Sequence, residues 1–219
     1  MLTDSSGQIY DIFSQEELSY LKKYFSNLPS AFVHADGNSF SSISQQHPLY
    51  LWFCKKIFNK IQQISDAKVQ LLFGSYLNEK SPWTVHCDYY HKLIGEPYMV
   101  FLIPMSVNED MTLADKTHTI VFNEEDTYVD DTGAANRMWN TKLWNSKKTK
   151  KENNSMNFYE QHLSHVSVDD LECLTIQKIL KWKLGSILYW DEKLLHCSDN
   201  FHKNNLTSKQ AIVVHTYVV

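Results

Sequence analysis

The sequence predicts a mainly β domain with helices packed outside it, an α+β arrangement built on a β-sandwich or jelly roll. Three observations carry this. Helical periodicity is confined to residues 1–66, and a succession of short apolar segments bounded by turn residues follows it. Helices first and many strands afterwards is the order expected when helices cover a sandwich from outside. The composition, 43% hydrophobic and 21% charged over 219 residues, suits a single soluble domain (1–219) with a sizeable core.

The elements read in order as follows. Ser14-Gln15-Glu16-Glu17 has the form of a capping box and opens a helix with Leu18, Leu21 and Phe25 on one stripe, stopped by Pro29. A second helix is expected from about Pro48 to Ser65, because Leu49, Phe53, Ile57, Ile61 and Ile64 recur at helical spacing. Residues 1–66 thus form a helical buttress, and 67–219 the jelly-roll core. Strands are expected over Val69–Leu77, Pro97–Val107, His118–Asn123, Leu174–Trp182 and Ser186–Trp190, with Leu184-Gly185 as the turn between the last two. Ser208–Val219, rich in Val and Thr, supplies the final strand. Residues 130–169 break the regularity: they are polar, carry Trp139 and Trp144, and contain the run Lys147–Lys151. They are expected to be an insertion or lid.

His86-Cys87-Asp88 follows the first core strand. In an extended segment residues i and i+2 point to one side, so His86 and Asp88 can reach one ion while Cys87 turns away. His196 lies far downstream, after the strand–turn–strand Trp182–Trp190 and a short loop, and a jelly roll can bring it beside the HxD segment. Two histidines and one carboxylate on one face of an octahedron leave three positions open, the arrangement suited to non-haem iron(II) oxygenases. HxD alone is weak, since His34-Ala35-Asp36 repeats it between the two helices. The context of His196 is what separates them.

With those residues in view, the chain resembles the Fe(II)/2-oxoglutarate-dependent dioxygenases of the prolyl-hydroxylase/phytanoyl-CoA-hydroxylase-like superfamily. The HxD…H pattern falls on His86, Asp88 and His196, and Gly185–Asp191 with Leu195-His196-Cys197-Ser198-Asp199-Asn200-Phe201 is similar to the second half of the family motif. The likeness covers about residues 69–219. It implies a double-stranded β-helix, a cupin-like form of jelly roll. It also implies an oxidoreductase that uses Fe(II), 2-oxoglutarate as co-substrate and O2 to hydroxylate a C–H bond, with release of succinate and CO2. His86, Asp88 and His196 would be both the metal ligands and the catalytic centre. The family grips the far carboxylate of 2-oxoglutarate with a basic residue on the strand after the distal histidine, which implies Lys209 here; Tyr76 is the candidate for an added hydrogen bond. On the final strand Lys209, Ala211 and Val213 share one face. Asp88 argues against the halogenating relatives, which lose the carboxylate. Trp83, Tyr90 and Arg137 are the candidates to face substrate.

Two other readings use the same residues. A cupin-like metalloenzyme without 2-oxoglutarate would keep the ligands and not need Lys209. A catalytically silent, metal-stabilised binding module would use the lysine run and the aromatic insertion as its surface. Net charge is −4 and Arg137 is the only arginine, which argues against nucleic acid and anionic membranes as partners. The expected substrate is a small molecule or a peptide. The N-terminal residues lack a basic and an apolar region, and no apolar run approaches a bilayer span of roughly 20 residues, so a cytoplasmic protein is expected. Cys54, Cys87, Cys173 and Cys197 are far apart and read as reduced thiols.

Overall fold

A computed structural model describes residues 4–25, 32–43, 50–88, 96–108, 110–125, 156–172 and 174–219. The elements in chain order are β1 (Ser6–Ile9), α1 (Gln15–Phe25), β2 (Phe32–Val33), β3 (Ser39–Ile43), α2 (Tyr50–Phe53), a π-helical turn (Cys54–Phe58) and α3 (Asn59–Ile64). After them come β4 (Val69–Glu79), β5 (Glu96–Val107), β6 (His118–Glu125), α4 (Met156–Phe158), a second π-helical turn (Tyr159–Leu163) and α5 (Val168–Leu171). The chain closes with β7 (Ile176–Lys181), β8 (Ile187–Asp191), β9 (Leu194–Ser198) and β10 (Lys209–Val218). A seven-stranded sheet runs β1-β8-β5-β10-β4-β3-β2 and a three-stranded sheet runs β7-β6-β9. Every pairing between these strands is antiparallel. Two such sheets face to face are a jelly roll, as the sequence predicts.

The period-2 alternation of the strands sorts the side chains into layers. On β5, β8 and β10 the outward residues Phe101, Ile103, Ile187, Tyr189, Ile212 and Val214 pack with Leu18 and Leu21 of α1 and Ile57 and Ile61 of the second helical segment. Inward residues Val100, Leu102, Leu188, Trp190 and Ala211 meet Val121, Leu180 and Leu194 of the small sheet. The far face of the small sheet, Ile120, Phe122, Leu195 and Cys197, is covered by Leu163, Val166 and Leu171. The capping box forms: the Ser14 amide donates to Glu17 Oε2 at 3.0 Å and the Glu17 amide to Ser14 Oγ at 3.2 Å. Glu17 also pairs with Lys60 Nζ at 3.0 Å, which fastens α3 to α1.

Three differences from the sequence reading matter. Residues 1–66 are not only a helical buttress, because β1, β2 and β3 complete both edges of the large sheet. Their sequences, SGQI, FV and SFSSI, are short or rich in small polar residues and carry no clear apolar alternation. The segment before His196, expected as a loop, is strand β9. Of the expected 130–169 insertion, residues 156–169 fold into short helical turns that pack on the small sheet. Trp139, Trp144, Lys147–Lys151, Arg137 and Tyr90 lie outside the described residues. The cysteines described, Cys54, Cys87 and Cys197, are free thiols. Among the described residues no helix is long and apolar enough to cross a membrane.

Candidate metal centre

The backbone brings the two histidines together before their side chains do anything. His86 and His196 form an antiparallel bridge: the His86 amide donates to the His196 carbonyl at 3.0 Å and the His196 amide to the His86 carbonyl at 2.8 Å. The Asp88 amide donates to the Glu192 carbonyl at 3.2 Å. The HxD segment is thereby held along β9, so that His196 projects between the sheets beside His86 and Asp88. Their ligand atoms lie within 4.8 Å of one another. His196 Nε2 is 3.1 Å from Asp88 Oδ2, and the two imidazole centroids are 4.3 Å apart.

Hydrogen bonds settle the tautomers. His86 Nδ1 lies 2.7 Å from the Thr84 carbonyl and His196 Nδ1 lies 3.0 Å from the Leu194 carbonyl. A carbonyl only accepts, so both Nδ1 atoms carry the proton and both Nε2 atoms keep a lone pair for a metal. The partners are main-chain groups two residues back, not the neighbouring side chains of Asp191, Ser198 or Asp199. Burial and the adjacent His196 push the His86 pKa down to about 4, which keeps its ring neutral near pH 7. Burial alone would raise the Asp88 carboxyl, but His196, His215 and His86 outweigh it and hold the group well below the usual carboxylate range. The donor set is therefore two imidazole Nε2 atoms and one anion. Cis ligands at about 2.1 Å from a metal stand about 3.0 Å apart, close to the His196–Asp88 separation.

A cavity of about 340 Å³ opens beside this triad, within the size range of small-molecule sites. Lys209 also lines it, 1% exposed, with Nζ over the Trp182 ring at 4.4 Å and 3.3 Å from Glu79 Oε2. Trp83 lines the cavity beside His86, with 5.7 Å between ring centroids. Tyr76 does not line it. On β4 the lining residues are Phe73, Ser75, Leu77 and Glu79, so the even-numbered Tyr76 faces the opposite way, into the core under the helices. The expected hydrogen bond from Tyr76 to a co-substrate carboxylate is thus ruled out by strand parity. In the decoy His34-Ala35-Asp36 the two side chains have separate partners. Asp36 accepts from Asn38 within a turn, while His34 stacks edge-on against Trp83 at the cavity wall.

Three residues in the cavity were not foreseen. His215 lines it from β10, stacked on Phe73 at 4.1 Å, and burial pushes its pKa down to about 4. It continues the face of Lys209, Ala211 and Val213, so the same alternation would have found it. Glu79 is the register partner of Lys209 across β4 and β10, a relation no spacing reveals. Trp190 packs its ring 4.7 Å from that of His196, and its buried indole N–H has no hydrogen-bond partner among the described residues. Such a donor at a cavity wall suits a ligand acceptor.

A second group, His118, His162 and Asp199, also has metal-ligand composition. Here the carboxylate is engaged by the protein itself: Thr117 Oγ1 donates to Oδ1 at 2.5 Å and His118 Nδ1 to Oδ2 at 3.0 Å. It serves as a buried pin between β6 and the segment after β9.

The sequence matches no protein-family model, and comparison with curated proteins finds no relative. Solved structures do match. The α-ketoglutarate-dependent epimerase SnoN of nogalamycin biosynthesis aligns with a TM-score of 0.58 at 8% identity, over 98% of this chain and 79% of that one. HygX from Streptomyces hygroscopicus, with nickel, 2-oxoglutarate and hygromycin B bound, aligns with a TM-score of 0.58 at 10% identity, over 99% and 83%. A prolyl-4-hydroxylase from Pseudomonas putida aligns with a TM-score of 0.51 at 8% identity, over 99% and 94%. This chain shares the fold of these three proteins.

Proposed function

We propose that the protein is a non-haem Fe(II)- and 2-oxoglutarate-dependent oxygenase that hydroxylates a C–H bond of a small-molecule or peptide substrate. The observation that carries this is the convergence of His86 Nε2, Asp88 and His196 Nε2 on one wall of a cavity, with both ring tautomers fixed by main-chain carbonyls. The fit rests on the donor set: two imidazole nitrogens and one carboxylate suit a ferrous ion and leave open coordination positions. Iron(II) held there, with 2-oxoglutarate and O2, supplies oxidative decarboxylation of the oxo acid to succinate and CO2 coupled to oxygen insertion into a C–H bond.

The chain's own residues do the rest. His86, Asp88 and His196 hold the ion. The Thr84 and Leu194 carbonyls keep the two rings oriented and proton-bearing at Nδ1, so the ligating nitrogens cannot be lost to a tautomer change. Lys209 lies in the same cavity, and its ammonium suits the distal carboxylate of the oxo acid as a point charge without a bidentate fork. The Trp190 N–H offers one more donor. Val213, Leu102 and Trp190 supply apolar wall that excludes water from the reacting atoms. Trp83 and His34 flank the approach to His86, so they are proposed to meet the substrate.

The test is a titration of 2-oxoglutarate into anaerobic Fe(II) protein, read by the metal-to-ligand charge-transfer band, followed by succinate formation in air. A band and turnover are expected in the native protein, with both lost in Asp88→Ala and His196→Ala. Retained turnover in a folded His196→Ala protein would sink the triad assignment. A cupin-like metalloenzyme without 2-oxoglutarate is the second reading, favoured by one observation: Lys209 is already paired with Glu79. It predicts metal binding and no such band.

A further inference from the structure

Lys209 and Glu79 face each other across β10 and β4, 1% and 2% exposed. Lys209 Nζ stands 3.3 Å from Glu79 Oε2, and Ser198 Oγ donates to that same oxygen at 2.7 Å. The lysine cannot turn away to water, because its ammonium is boxed by the rings of Trp182 at 4.4 Å and Phe201 at 5.5 Å. Both side chains line the cavity that holds the metal triad. The anchor expected to receive a carboxylate therefore already has one.

Consider the charge when a dicarboxylate enters. Lys209 and Glu79 together are neutral. A ligand carboxylate placed at Lys209 would leave two anions around one cation in a space shut off from water, an arrangement that buried groups avoid by neutralising one member. The other charged groups near Glu79 do not relieve this. Asp199, beyond β9, adds negative charge and not positive. Across the cavity, His86 and His215 are held neutral, and Asp88 is anionic. Among the described residues no lysine or arginine of β2 or β3 lines the cavity near Glu79; His34, Phe40 and Ser42 do. Burial raises the Glu79 pKa against the pull of Lys209 and Ser198, the direction that favours proton uptake.

We propose that Glu79 is a specificity-determining residue for the co-substrate: it takes up one proton from solvent as 2-oxoglutarate binds, and the resulting carboxylic acid donates a hydrogen bond to the ligand's distal carboxylate beside Lys209. The charge balances, since Lys209 stays cationic, the ligand carboxylate replaces that of Glu79 as its counter-ion, and Glu79 becomes neutral. A monocarboxylic 2-oxo acid, which leaves the Lys209–Glu79 pair intact, takes up no proton. This inference rests on the proposed 2-oxoglutarate reading and adds to it a residue that discriminates between oxo acids.

Proton uptake fixes the sign of the pH dependence. Wherever Glu79 is ionised in the free protein, 2-oxoglutarate affinity falls about tenfold per pH unit as pH rises. The experiment is calorimetric titration of 2-oxoglutarate into the anaerobic Fe(II) protein, in two buffers of different ionisation enthalpy, from about pH 6.5 to about pH 8.5. Pyruvate is titrated alongside to subtract any proton change at the metal. The native protein is expected to take up about one proton more for 2-oxoglutarate than for pyruvate. Glu79→Gln, which keeps a neutral hydrogen-bonding group, should take up none and bind 2-oxoglutarate with a flat pH profile. The native measurement stands alone if the variant fails to fold. Binding of 2-oxoglutarate by the native protein with no excess proton uptake, or a Glu79→Gln protein with the native slope, overturns the proposal while leaving the oxygenase reading intact. Metal binding with no 2-oxoglutarate binding at any pH in either protein overturns both.

Discussion

At the scale of single residues, the site is a set of choices between two faces of a strand. His86 and Asp88 share a side because they are two apart, and that much the sequence shows. Tyr76 and Glu79 differ in parity on β4, and which parity faces the cavity depends on the pairing of β4 with β10, which no local pattern carries. That is why Tyr76 was expected and Glu79 was not, and why Lys209, whose neighbours Ala211 and Val213 mark its face, was legible. Lys209→Ala should weaken 2-oxoglutarate binding by about 2–5 kcal/mol, at least about tenfold, as expected for loss of a buried charge-assisted contact. The measurement is the 2-oxoglutarate titration of the metal-loaded, folded variant. An unchanged affinity would move the anchor elsewhere.

At the scale of elements, the strands with strong apolar character, β4 to β8 and β10, were readable from the sequence to within a few residues, and so was α1 with its capping box. The long helix expected to about Ser65 is broken by the π-helical turn at Cys54–Phe58, yet still buries Ile57 and Ile61. β9 escaped because its sequence, Leu194-Leu195-His196-Cys197-Ser198, is buried on both faces and so has no alternation to detect. The turn at Gly185 was visible and the structure explains it. Its φ is +83°, and a Cβ there would stand 2.7 Å from the Phe13 carbonyl oxygen. That carbonyl belongs to the link between β1 and α1, whose Ile12 and Phe13 amides both donate to the Gly185 carbonyl. Gly185→Ala therefore meets both a left-handed backbone and a main-chain clash. It is expected to cost roughly 1–3 kcal/mol of unfolding free energy, measured by denaturant titration. A neutral effect would show that the α1 link yields freely.

At the scale of the whole molecule, the interior between the sheets holds imidazoles that folding keeps neutral. His86 and His215 have pKa values pushed down to about 4 from an ordinary 6.5. In the metal-free protein the unfolded chain therefore binds more protons than the folded one between about pH 6.5 and about pH 4, so stability falls as pH drops through that window, and below it the depressed Asp88 carboxyl carries the fall further. Thermal melts of metal-free protein across this range should show the midpoint declining toward pH 4, and added ferrous or nickel ion should oppose the decline. A flat profile would mean that these rings are solvated. The reciprocal main-chain bridge between His86 and His196 bears on the same metal-free state. Two ligand residues are cross-tied by amide hydrogens that open only with the edge of the small sheet, so the site is preformed and does not wait for an ion to assemble it. An ion of the kind proposed for this site could then leave and return without refolding of the chain.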